Sequence, residues 1–233
     1  MKMFYFDINY LIYILPAIIL GLYAQGRVQS TYAKYSRVPS RRGLTGAQAA
    51  RYLLDSAGLQ GVAIERVPGQ LTDHYDPRSK VLRLSDAVYN SPSVAALGIA
   101  AHECGHAIQH DTGYIPLAFR NNLYPVANLG TNLGIWFIIF GVALAGFNLG
   151  KGMFTLGILG YAAAVVFSIV TLPVEFNASK RAMAVLTEKG LITMDESEGA
   201  KQVLDAAALT YVAVALSAVM TLLYLLGLRG NDE

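Results

Sequence analysis

Four runs of about twenty mostly apolar residues restrict this chain more than any other feature. They cover Phe4 to Ala24 (FYFDINYLIYILPAIILGLYA), Val126 to Phe147, Met153 to Val174 and Leu209 to Leu228. A helix needs roughly 20 residues to cross the hydrocarbon of a bilayer. The runs predict four transmembrane helices. The rest of the chain has ordinary polarity, so the 54% hydrophobic content and mean hydropathy of +0.41 come from the four blocks. The first block is read as a retained anchor. It lacks a small-x-small cleavage site, contains Asp7 and Pro16, and precedes three further spans.

Basic residues orient the spans. Residues 25–125 hold 11 Lys and Arg and residues 175–208 hold 4, so 15 of 18 lie in two stretches separated by a two-span hairpin. An even number of crossings places both stretches on one side. Arg27, Lys34, Arg37, Arg41 and Arg42 follow the first span directly, and the positive-inside rule makes that side cytoplasmic. The N-terminus, the connecting turn NLGKG and the tail RGNDE then lie outside. A net charge of +2 argues against a nucleic-acid partner; the basic cluster reads as contact with anionic lipid head groups. Cys104 is the sole cysteine, which excludes an internal disulfide and a Cys-rich zinc site. Oligomeric state is not written in these features.

The water-facing residues carry local signals. Thr45 caps an expected helix, GAQAARYLLDSAGL, that stops near Gly58. GVAIERV and KVLRLS are β-rich runs flanking the turn YDPRS, which predicts a small β-hairpin. Ser91 and Pro92 mark the start of a helix that continues through AAHECGHAIQH.

That helix holds three of the four histidines at four-residue intervals. Residues four apart share a helix face, so His102 and His106 can turn both imidazoles onto one ion. With Glu103 between them the pattern is H-E-x-x-H, in which zinc takes the two nitrogens and the glutamate is the general base. His110 lies two turns beyond His102, too far to share the ion, and is expected to support the site or face solvent. Gly105 inside a helix implies that another backbone passes close by. Cys104 reads as small helical filler.

A catalytic zinc needs a third protein ligand and one position for water. A third histidine in the pattern H-E-x-x-H-x-x-G-x-x-H is excluded, because those positions are Gln109 and Thr112. Asp111 and a glutamate after the third span remain. Glu175 is preferred on topology. It follows the third span on the side to which the two-span hairpin returns the chain, which is the side of the motif helix. Its alternative reading is an interfacial glutamate solvating a helix end.

The segments AAHECGHAIQH, LPVEFNASKRA and VLDAAALTYVA resemble the bacterial neutral zinc metallopeptidases of the YugP-like family, and the likeness covers essentially the whole chain. That family is distantly similar to HtpX-type and CAAX-prenyl membrane proteases, gluzincins whose third ligand opens an E-x-x-x-D motif. The resemblance assigns that ligand to Glu175. The aspartate four residues later is Ser179 here, so Asn177, Ser179 or another residue must orient the histidine.

The fold class expected is mainly α: a polytopic membrane protein with about four transmembrane helices and a cytoplasmic zincin-like metalloprotease domain containing a small β-hairpin. Its parts would be residues 4–24, 126–174 and 209–228 in the membrane and 25–125 and 175–208 in the cytoplasm. The resemblance places it in the bacterial inner membrane, with one Zn2+ per chain on His102, His106 and Glu175, and with Glu103 as the base for peptide-bond hydrolysis. Substrates would be peptides or membrane proteins. His74, Tyr75, Tyr211 and Arg181 are candidates for the oxyanion donor, and the KVLRLS strand could pair with an extended peptide. A zinc-binding membrane scaffold or chaperone without proteolytic activity is the alternative. A transporter ranks last, because the central spans carry no intramembrane charge.

Overall fold

The computed structural model describes residues 8–230. Residues 4–7 of the first expected span, the N-terminus and the end of the tail lie outside them. Seven helices and three strands follow in the order α1 (Ile8–Tyr35), α2 (Gly46–Ser56), β1 (Ala63–Val67), β2 (His74–Asp76), β3 (Val81–Ser85), α3 (Asp86–Tyr89), α4 (Val94–Asp111), α5 (Ile115–Ala143), α6 (Asn148–Glu188) and α7 (Met194–Gly230). The protein is therefore mainly helical. Among the described residues, α1, α5, α6 and α7 are long and apolar enough to cross a membrane.

The helices run further than the apolar blocks. At 1.5 Å per residue the 41 residues of α6 reach about 60 Å, twice the roughly 30 Å of hydrocarbon. NLGKG forms the first turn of α6 rather than the connection, which is residues 144–147.

The chain divides into two compact units. The first comprises residues 8–23, 118–172 and 210–230 of the described chain. In it α5 and α6 approach closely along glycines. A Cβ added to Gly130 would lie 2.5 Å from the carbonyl oxygen of Gly160, and one on Gly134 3.1 Å from that of Gly157. Small residues are what allow backbones to meet in lipid, where no hydrophobic drive separates helix from solvent. Tyr224 packs edge-on against Tyr10 and Tyr13, with centroids 5.0 and 6.0 Å away.

The second unit, residues 24–117 and 173–209, holds the main core. Leu53 and Leu54 of α2, Leu82 and Leu84 of β3, Leu97 of α4, and Leu186 and Leu191 at the end of α6 are fully buried together. α2 starts as its sequence predicts: Thr45 and Gln48 form a capping box. The cap of α4 is Ser93, whose Oγ accepts from the N–H of Ala96, two residues later than expected. Residues 38–40 pair with 92–94 there, Ser40 N–H donating to Pro92 and Val94 N–H to Val38, so Pro92 belongs to an extended strand-like segment.

The sheet departs from the expected hairpin. β1 and β3, the two β-rich runs, pair in parallel, and the edge strand β2 pairs antiparallel with β3 in the order β1-β3-β2. The YDPRS turn does make a hairpin, but between β2 and β3. Asp76 closes it by accepting from the N–H of Arg78 and the hydroxyl of Ser79. The strand HYD is too short to carry a periodic signal, which is why sequence patterning passed over it. Because β3 is central and both its edges are used, it cannot pair with a peptide; that expectation from the sequence is corrected.

Candidate metal centre

α4 and the C-terminal part of α6 build the site, and Gly105 is the reason they can. A Cβ there would fall 2.6 Å from the carbonyl oxygen of Ala178, so only glycine lets α6 cross this tightly. The close approach inferred from Gly105 is thus present. It sets His102 and His106, one turn apart on α4, against Glu175 on α6.

Ligand atoms of His102, His106 and Glu175 lie within 4.8 Å of one another and could hold a metal ion. Oε2 of Glu175 is 3.2 Å from Nε2 of His102 and 3.4 Å from Nε2 of His106. Tetrahedral zinc with bonds near 2.0–2.1 Å separates its ligand atoms by about 3.3–3.4 Å, and both distances from Glu175 to the histidine nitrogens match that spacing. Glu175 is 4% exposed and Glu103 8%; buried carboxylates are retained where they are paired or bind a cation.

Each histidine is held through its other nitrogen. Nδ1 of His102 is 3.0 Å from Oγ of Ser179, so Ser179, one of the residues expected to orient a histidine, does contact His102. Nδ1 of His106 is 3.0 Å from Oε1 of Gln109. Gln109 is fully buried and gives its amide nitrogen to the carbonyl of Val174 and to Oδ1 of Asn177.

This network fixes a proton. The carbonyl of Val174 only accepts, so the amide nitrogen of Gln109 faces it and Oε1 faces His106. Nδ1 of His106 must then carry hydrogen. In the neutral ring Nε2 is a bare lone pair aimed at a carboxylate 3.4 Å away, an arrangement that calls for positive charge between them. Burial pulls the His106 pKa down, but the hydrogen bond to Glu175 and the charges of Glu103 and Glu175 outweigh it and the net direction is upward. A proton or a metal ion meets the same demand.

The remaining residues singled out in the sequence have other places. Asp111 is exposed at the end of α4 and outside the cluster. His110 bonds through Nδ1 to the hydroxyl of Tyr75 at 2.9 Å. His74 is exposed and rests on the carbonyl of Thr72. Nε of Arg181 donates to Asn177, and its guanidinium lies over the ring of Tyr114. Tyr211 belongs to the first unit. Cys104 is buried with its thiol against the carbonyl of Ala50, and burial first of all pushes its pKa up, so it is inert filler. Sequence reasoning missed Gln109, which it used only to exclude a third histidine; a polar residue three places after a ligand on an otherwise apolar helix was the available signal.

Residues 10–230 match the profile of a family described as "Putative neutral zinc metallopeptidase". The chain belongs to this family. It is also 44% identical over 221 residues to "Putative membrane protease YugP" of Bacillus subtilis (strain 168), an alignment that covers 94% of this chain and 96% of that relative. The family's description implies zinc, and His102, His106 and Glu175 form a group that could hold a metal ion. No solved structure matches the chain.

Proposed function

We propose that this protein is a membrane-integrated zinc metalloendopeptidase of the gluzincin type, with one Zn2+ held by His102, His106 and Glu175 and with Glu103 as general base. The single observation that supports it best is the convergence of two histidine nitrogens and one buried carboxylate oxygen at zinc-ligand spacing, next to the glutamate of an H-E-x-x-H helix. Zinc bound there supplies a water of pKa near 7 and polarises the scissile carbonyl.

The chain's own residues do the rest. Ser179 and Gln109 hold the two imidazoles so that their Nε2 atoms face Glu175. Glu103 accepts the proton of the attacking water on its carboxylate and delivers it to the departing amine. Of the two edge strands, β2 is the one that packs against α4, so β2 rather than β3 is the strand for an extended peptide to pair with.

The basic stretches put the site on the cytoplasmic side of a bacterial inner membrane, with residues 4–24, 126–174 and 209–228 in the bilayer. The substrate is a peptide or a membrane protein.

The deciding experiment compares variants for zinc content and for hydrolysis of a peptide library. Glu103→Gln should keep about one zinc per chain and lose roughly 100-fold or more of the rate, the scale for removing a general base. His102→Ala should lose both. Wild-type protein that holds zinc and cleaves nothing, with identical protein termini in cells carrying wild type and Glu103→Gln, would move the reading to a zinc-binding scaffold.

A further inference from the structure

The long apolar helix α5 has a polar face that is exposed among the described residues. At about 100° per residue, Ala127, Gly130, Gly134 and Gly141 point to one side, and the glycines among them meet α6 there. Asn121, Asn128 and Asn132 fall within about 40° of one another on nearly the opposite side, and all three are exposed. Pro125 lies between them on the same side and has no N–H, so the carbonyl of Asn121 loses its helix donor there.

With the span beginning at Val126, Asn128 lies at its edge and Asn132, about 9 Å in, is the amide that is awkward in a bilayer. Asn132 is eleven residues from Ala143 at the helix end (143 − 132), about 17 Å along the axis and so well inside roughly 30 Å of hydrocarbon. Its short side chain cannot reach the interface as a lysine can. Asn132 donates to the carbonyl and Oδ1 of Asn128 at 2.8 and 3.2 Å, which occupies part of one amide. Among the described residues the nitrogen of Asn128 and the oxygen of Asn132 make no other hydrogen bond, and no hydrocarbon group answers them.

The same face continues into Ile135, Ile139 and Val142, all exposed. From Asn121 to Val142 these positions alternate in steps of four and three, the spacing of a coiled-coil seam. Any one face of a helix shares that spacing; what sets this one apart is its asparagines, because a buried asparagine at a seam position is the device that fixes register and pairing of parallel helices.

We propose that two copies of this chain associate in the membrane through the Asn128–Asn132 face of α5. A second copy is the occupant the chemistry fits. An amide carries a donor and an acceptor and pairs with itself across a two-fold axis. Copies inserted with the same topology meet in parallel, so Asn128 faces Asn128 of the partner and Asn132 faces Asn132. The association is independent of hydrolysis and of the metal.

The test uses the full chain in isolated membranes. In a Cys104→Ala background, Ile135→Cys places a thiol on the seam and leaves both asparagines intact, and Leu133→Cys places one on a lipid-facing side. Copper-phenanthroline oxidation should give a covalent dimer from Ile135→Cys and little from Leu133→Cys. Adding Asn128→Leu and Asn132→Leu to Ile135→Cys should lower the dimer yield about tenfold, the scale of two interhelical amide contacts, while zinc per chain stays unchanged and shows that the fold is intact. Equal yields from positions 135 and 133, a dimer that persists without the asparagines, or an adduct whose mass is not twice that of the chain would each overturn the proposal.

Discussion

At the residue scale the candidate site rests on side chains that stand behind His102, His106 and Glu175. Gln109 is the clearest: one buried amide orients His106, ties α4 to the backbone of Val174 and meets Asn177. Gln109→Leu removes all three bonds and strands the Nδ1 of His106, at about 1–3 kcal/mol, while Asn177 keeps its bond from Arg181. Zinc affinity should fall about 10- to 100-fold, as it does when the partner of a ligand histidine is lost, and competition with a chelating dye will read it. Cys104 makes the opposite prediction. Its buried thiol stays protonated and unreactive, so Cys104→Ala should leave zinc content and hydrolysis at wild-type levels, and a thiol reagent should label the native protein only after denaturation.

At the element scale the crossing of α4 and α6 decides whether the ligands meet. Gly105→Val places methyl groups against the carbonyl of Ala178 and must push the helices apart, separating both histidines from Glu175. It should lose most bound zinc as well as the roughly 1–3 kcal/mol typical of overpacking. Gly98→Ala is the control, since its Cβ would meet Ala200 at ordinary contact distance, 3.4 Å from its Cβ and 3.6 Å from its Cα and carbonyl oxygen, and zinc content should hold. The turn between β2 and β3 predicts a pH effect. Hydrogen bonds from Ser79 and Arg78 first, and then Arg83, hold the Asp76 carboxyl well below the usual carboxylate range. A lowered folded-state pKa gives stability that is present above the unfolded value near 4 and lost as pH falls through the folded one. Asp76→Asn should therefore unfold at lower temperature than wild type at pH 7, and the gap should shrink as the pH is taken below about 4.

At the scale of the whole molecule, orientation in the bilayer is open to direct measurement. Gly146 in the short connection between α5 and α6, and Gly61 ahead of β1, each have space for a side chain. In the Cys104→Ala background, Gly146→Cys should react with a membrane-impermeant thiol reagent in intact cells, and Gly61→Cys should react only after the membrane is opened. The reverse pattern would turn the protein over and leave the metal centre intact, because His102, His106 and Glu175 all belong to one compact unit.

The sequence by itself determined the features that depend on near neighbours or on composition. Four apolar stretches declared helices, because lipid leaves the backbone no other course. His102, Glu103 and His106 declared one helix face, because 3.6 residues per turn stacks positions four apart. Thr45 and Gln48 declared a cap. Gly105 declared a close neighbour without saying which. The tertiary structure decided everything that joins distant positions. It set β1 beside β3 in parallel, a pairing whose register rests on contacts across an intervening strand and loop rather than on either run. It carried α6 on as one helix beyond the apolar block to Glu188, so that Ala178 lies on Gly105 and Ser179 reaches His102. It turned Gln109, an unremarked polar residue on an apolar helix, into the hinge of the hydrogen-bond network, because what it bonds, the carbonyl of Val174 and the amide of Asn177, lies 65 and 68 residues away. Periodicity reports which face a residue occupies; only the packed chain reports what that face meets.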